Sequence, residues 1–418
     1  MVALLFAVSV LPHTQSDVMS PRMGQLAARV GSGDKEAVER FWSDLKVEGT
    51  PIYEPGGEAR TSLVTFVWRG DGETRNAIVN FDAEPDFKNL RMDRLPNTDV
   101  WYKTFRLPSQ AQFYYQLSPN DSLIPFDDVK DWGERVKTFA GDPLNSKGIT
   151  IGTQRFSFAI LPGAPRIDAY RERSEVAKGK FDPGGRGAYM IKAKALGDHR
   201  TWIYTTPGLK PGPANLVVFI DGSGAWQILP SVRMFDNLFH DKKIGPTVAL
   251  YTDSPDRNRD LACSDAYLDF LTKELLPWVR EKYKVKFSGK QTVISGRSLG
   301  GLFAGYASLR RPDLFGNAMM QSPSLWWGAE RDGENEWLTR QFVSSKRVSA
   351  RFFVAPGLFE TQTNSRTSIS ILFSSRHFRD VLKAKGYDVT YRDVTGGHDP
   401  LNWEVSLPEA IEQYLGKR

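Results

Sequence analysis

The sequence predicts a two-part protein: a smaller all-β domain followed by a doubly wound α/β domain on a mostly parallel sheet. Three observations carry this. Between Thr61 and about Leu117, short β-rich runs are separated by Gly, Asp, Pro and Asn at the spacing of antiparallel sandwiches. From about Met190 onward, short continuously apolar runs alternate with amphipathic helical stretches, as strands buried on both faces of a parallel sheet do. Between one such strand and one such helix lies a G-x-S-x-G motif, Gly296, Ser298 and Gly300. At 418 residues the chain has the length for two or three domains, taking about 150 residues each.

The elements follow in order. The opening MVALLFAVSVLPHTQS holds an apolar run from Val2 to Leu11, too short to span a bilayer but of signal-core length, with no Lys or Arg before it. Residues 1–20 are read as a signal-like or disordered segment, which points to an exported or periplasmic protein, with a cytoplasmic one as the alternative. Met23 to Val47 shows helical spacing interrupted at Gly31 to Gly33, and with the β-rich runs SLVTFVWRG, NAIVNF, TDVWYKTFRLP and AQFYYQLS it makes residues 21–150 the first domain. Pro, Gly and Asp enrichment, as in LPGAP (Leu161 to Pro165), marks 151–189 as a connector. Residues 190–418 form the α/β domain, with strands expected at Asn215–Asp221, Pro246–Asp253, Gln291–Gly296, Asn317–Ser322, Arg351–Gly357 and Val389–Gly396. Helices are expected at Ser264–Tyr283, kinked at Pro277, and at Leu302–Leu309, Ile369–Lys385 and Glu404–Leu415.

Composition narrows the function classes. Hydrophobic residues at 40% and charged residues at 25% exclude a mostly disordered, collagenous or polytopic membrane chain. A net charge of +6 attracts anions, yet no Lys/Arg run of nucleic-acid-binding length is present, so a small anionic substrate fits better than DNA. The single cysteine, Cys263, forbids an internal disulfide and a cysteine metal cage. No phosphate-loop spacing and no histidine pair at metal-ligand spacing occurs, so no metal or nucleotide cofactor is expected, and oligomeric state is left open.

The chemistry starts at QTVISGRSLGG. Small residues flanking Ser298 let strand and helix approach while the hydroxyl stays exposed, which is what a nucleophile elbow of an α/β-hydrolase needs. A serine hydroxyl needs a base, and among five histidines only His398, in VTGGHDPLNW, follows a late strand with glycines beside it. The triad order Ser, acid, His puts Glu360, just past RFFVAPG, in the acid position, with Asp393, Asp399 or a plain Ser–His dyad as competitors. The oxyanion hole takes the N–H of Leu299 and a second one from IDGSGAW, at Gly222 or Ser223. Arg257 and Arg259 follow the strand ending at Asp253 and are candidates for an anion clamp, with ordinary salt bridges as the alternative. Trp326 and Trp327 are candidates for stacking on an aromatic ligand, against a packing role.

With these motifs in view the sequence resembles the enterochelin esterase family, in the esterase-D branch of the α/β-hydrolases. The resemblance rests on RMDRLPNTDVWYKTFRLP (Arg91 to Pro108), DPLNSKG (Asp142 to Gly148), LVVFIDG, DRNRDL, GRSLGGLFAGYASLRRPDLFGNAMMQSPSLWW and GGHDPLNW, and so spans most of the chain. It implies an immunoglobulin-like β-sandwich before the hydrolase domain, with Ser298 and His398 as nucleophile and histidine. It also implies hydrolysis of the ester bonds of ferric catecholate siderophores such as enterobactin, a trilactone, with release of iron. The alternatives are a feruloyl or other carbohydrate esterase, an acyltransferase of the same clan, or a glycan- or partner-binding module with a degenerate hydrolase domain.

Overall fold

The structure is a computed structural model that describes residues 20–185, 187–222, 225–363 and 369–416. The signal-like segment therefore lies, apart from Ser20, outside the described residues. The chain divides into two compact units, one made of Met1–Pro165 with Thr395–Asp399 and the other of Arg166–Val394 with Pro400–Arg418.

The first unit begins with helices Pro21–Gly31 and Ala37–Glu48, separated where Gly33 takes a φ of 84°. Met23, Leu26, Phe41, Trp42 and Leu45, at the spacing of one helical face, form a shared apolar cluster. Two antiparallel sheets follow. One orders its strands Ile52–Pro55, Thr61–Arg69, Val100–Pro108 and Asp93–Arg94, and the other Ala77–Asn80, Gln112–Pro119, Gln154–Ile160 and Gly148–Ile151. Aromatic side chains from both sheets meet in the core, with Phe66 4.7 Å from Tyr115 and Phe81 4.8 Å from Phe105 and 5.1 Å from Phe113 between ring centres. The strand Gln154–Ile160 falls within the stretch read as connector. It belongs to the β-unit because its backbone pairs with Gln112–Tyr115.

The second unit is built on one large sheet, whose strands we number within it. They are β1 Tyr189–Ala193, β2 Gly197–Thr205, β3 Asn215–Ile220, β4 Thr247–Thr252, β5 Thr292–Arg297, β6 Asn317–Gln321, β7 Arg351–Ala355 and β8 Asp388–Tyr391. Their spatial order is β1-β2-β4-β3-β5-β6-β7-β8, with Lys180–Asp182 also pairing β2. The β1–β2 and β2–β4 pairs are antiparallel, and every pair from β4–β3 to β7–β8 is parallel.

Why the central strands read as unbroken apolar runs is visible in their faces. Leu216, Val218 and Ile220 of β3 join one buried cluster while Val217 and Phe219 join another on the opposite side. The same alternation places Val248 and Leu250 of β4 opposite Ala249 and Tyr251, and Phe352 and Val354 of β7 opposite Phe353 and Ala355. The kink expected at Pro277 takes the form of a π turn, Phe270–Leu275, between helices Asp265–Asp269 and Leu276–Tyr283. Proline has no N–H to give to the carbonyl four residues back, so the hydrogen-bond register slips there. No helix among the described residues is long and apolar enough to cross a membrane.

Because β3 to β8 run parallel, their C-terminal ends share one edge of the sheet, and the loops leaving that edge carry the candidate site residues.

Candidate active site

Ser298 stands between β5 and helix Leu299–Arg310 with φ 55° and ψ −122°, a strained conformation for a residue with a side chain. The neighbours hold it there. Its N–H donates to the Gln321 carbonyl at 3.1 Å, and its carbonyl accepts from the amides of Leu302 at 3.1 Å and Ser324 at 3.0 Å. A Cβ on Gly296 would lie 2.1 Å from the Gly300 carbonyl oxygen, so only glycine lets the strand pass the helix start. A Cβ on Gly301 would come within 3.1 Å of Gln321 O and Pro323, whereas one on Gly300 would have 3.5 Å to its nearest atom. This strand, strained serine and helix have the local geometry that a nucleophile elbow requires. The Ser298 hydroxyl lies 3.2 Å from the hydroxyl of Ser324, a neighbour that motif reading does not single out because it comes from the loop after β6.

Of the oxyanion candidates, Leu299 is the first residue of its helix, where backbone N–H groups have no intrahelical acceptor and point toward the helix's positive end. The Gly222 N–H donates to the Thr252 carbonyl at 2.8 Å. Ser223 lies outside the described residues. Asp221, just before them, adopts φ 61°, so the turn leaves β3 abruptly.

Glu360 follows β7, is 5% exposed, and is fixed by the Gly357 amide, which donates to its Oε2 at 2.6 Å. Its competitors are placed as follows. Asp393 accepts from Arg376 at 3.1 Å, and Asp399 Oδ2 accepts from the Tyr114 amide at 3.3 Å within the first unit. His398 lies on Thr395–Asp399, which clusters with the first unit, and β8 ends a few residues before that segment. His199 is in β2 and fully buried, with its Nε2 donating to Asp260 at 3.3 Å. Burial pushes the Asp260 carboxyl up, but hydrogen bonds from His199 and Arg259 outweigh it and hold it below its usual range.

The rim candidates divide. Arg257 Nε donates to Asp221 at 2.6 Å, and the side chain stays half-exposed at the turn that follows β3. Arg259 Nε donates to the buried Asp260 at 2.7 Å, which ties it to the His199 network. Trp327 packs edge-on against Trp337 with ring centres 6.2 Å apart and joins the apolar core, while Trp326 is half-buried on the same loop as Ser324. Behind the elbow, the Arg297 guanidinium lies 5.0 Å from the Trp403 ring, and burial pushes Glu404 up to about 6 although Arg297 pulls it down. Arg297 is the variable position of the serine motif, which says nothing of its own about such a partner. Among the described residues no cluster of three or more His, Cys, Asp or Glu is gathered as a metal would require.

The family model described as "Putative esterase" matches residues 195–414, more than half of the chain, and the model "Enterochelin esterase, N-terminal" matches residues 63–170. The chain belongs to the enterochelin esterase family. As a member of that family it is an esterase, and both domains of the family's architecture are present. It is 27% identical to the iron(III) enterobactin esterase of Dickeya dadantii, over 92% of this chain and 94% of that protein. It is 24% identical to the iron(III) salmochelin esterase of Escherichia coli strain CFT073, over 93% and 96%. Among solved structures, the ferric enterobactin esterase of Salmonella typhimurium superposes with a TM-score of 0.73 at 23% identity, covering 90% of this chain and 98% of that one. An enterobactin esterase of Shigella flexneri, crystallised in the presence of enterobactin, superposes with a TM-score of 0.71 at 24% identity over 88% and 95%.

Proposed function

We propose that this enterochelin esterase family member is a serine esterase that opens the trilactone of a ferric catecholate siderophore of the enterobactin type. The observation that carries the reading is the end-to-end match, through both domains, to relatives named as enterobactin and salmochelin esterases.

In this reading the Ser298 hydroxyl attacks an ester carbonyl while His398 takes its proton. The Leu299 N–H, with that of Ser223, receives the developing oxyanion. His398 then protonates the leaving serine alkoxide of the siderophore, and water repeats the sequence on the acyl-enzyme to release the carboxylate. Glu360, held rigidly by Gly357, orients the imidazole and balances its charge. Trp326 and Arg257 suit an aromatic, polyanionic ligand, and the net charge of +6 favours its approach.

The test is product analysis after incubation with ferric enterobactin. We expect linear trimer and shorter dihydroxybenzoylserine pieces, and a loss of about a million-fold in turnover for Ser298→Ala. Intact ferric enterobactin beside cleaved feruloyl-arabinose would replace this substrate with a carbohydrate ester.

A further inference from the structure

The segment carrying His398 is held by side chains and backbone far from it in sequence. Asp82, just beyond strand Ala77–Asn80, presents Oδ2 to the His398 amide, which donates to it at 2.5 Å. Next to it, a Cβ on Gly397 would lie 2.5 Å from Asp82 Oδ2 and 2.8 Å from Asp82 Cβ, so the Asp82 side chain closely approaches the residue that leads into His398. On either side, the Gln112 amide donates to the Thr395 carbonyl at 3.1 Å and the Tyr114 amide to Asp399 Oδ2 at 3.3 Å. These ties join Thr395–Asp399 to the β-sandwich, and the one from Asp82 is made at the histidine's own amide.

We propose that Asp82 is a positioning residue for His398, so that the β-domain sets the geometry of the general base. The inference rests on the serine esterase reading above. A charged acceptor on a backbone N–H makes one of the stronger hydrogen bonds available to a loop. Fixing that amide fixes the torsion from which the imidazole projects, and a general base must reach within about 3 Å of the proton it takes.

The test compares full-length wild type, Asp82→Ala, Asp82→Asn and Gly397→Ala on a p-nitrophenyl ester, with thermal unfolding to establish that each is folded. Asp82→Ala is expected to lower kcat by about 10- to 100-fold, the size of a misplacement near 1 Å, with KM little changed. Asp82→Asn, whose amide oxygen can accept the same N–H, restores most of the rate. Gly397→Ala reaches the contact from the other side and lowers kcat in the same way, so the proposal stands or falls even if Asp82→Ala does not fold. Wild-type kcat in Asp82→Ala or Gly397→Ala, an effect on KM alone, or a folded Asp82→Asn as slow as Asp82→Ala would overturn it. Activity persisting in Ser298→Ala and His398→Ala would instead overturn the serine esterase reading, which keeps the two failures distinct.

Discussion

Ser298 occupies a conformation that its side chain disfavours, and the residues around it show how the fold enforces this. Gly296 is the position with no slack, because a methyl group there would enter the Gly300 carbonyl at 2.1 Å. Gly296→Ala should cost at least about 3 kcal/mol in urea unfolding, whereas Gly300→Ala, with 3.5 Å to its nearest neighbour, should cost under about 1 kcal/mol. Equal costs would show that the elbow is not packed as described. In the sequence the two glycines look equivalent, since the motif records that small residues are needed but not which one faces backbone. Ser298 and its elbow are legible because strand, turn and helix are each local patterns. The engagement of the Gly222 amide by Thr252 is not, because it depends on β4 lying beside β3, a pairing made across the intervening helix Ala225–His240.

Strands buried on both faces are legible in the sequence, and those at the edge of the sheet are not. β3 to β7 announce themselves as apolar runs, while β1 and β2 mix charged and apolar residues at an antiparallel edge and pass for loop. Helix Pro400–Leu415 begins before the expected Glu404, directly after the His398 segment, and Glu404 on it is the titrating group to probe. Burial raises its carboxyl from the usual 4.5 to about 6, so the folded state holds that proton more tightly than the unfolded chain. The stability this confers is fully present below 4.5 and is lost as pH rises through about 6. Glu404→Gln should therefore flatten the fall in the urea midpoint between about pH 5 and 7 relative to wild type. An unchanged slope in that variant would mean that Glu404 does not titrate as its burial demands.

At the scale of the molecule, chain order and spatial grouping disagree at one place. Thr395–Asp399 groups with the β-unit although β8 and helix Pro400–Leu415, which bracket it, belong to the other. Composition and periodicity could separate an all-β stretch from an alternating α/β stretch, since those signals repeat over tens of residues. They could not foresee that five residues near the end of the chain pair with Gln112, Tyr114 and Asp82, because nothing local in GGHDP encodes that partner. In the proposed reading, the β-unit holds the loop that carries the base. The proposed ester hydrolysis requires the Ser298 hydroxyl to be activated by His398. Intact-mass spectrometry after timed exposure to a fluorophosphonate tests that most directly. A single phosphonyl adduct mapped to Ser298 is expected, absent from Ser298→Ala and formed far more slowly in His398→Ala. An adduct on another residue, or a labelling rate indifferent to His398→Ala, would contradict it.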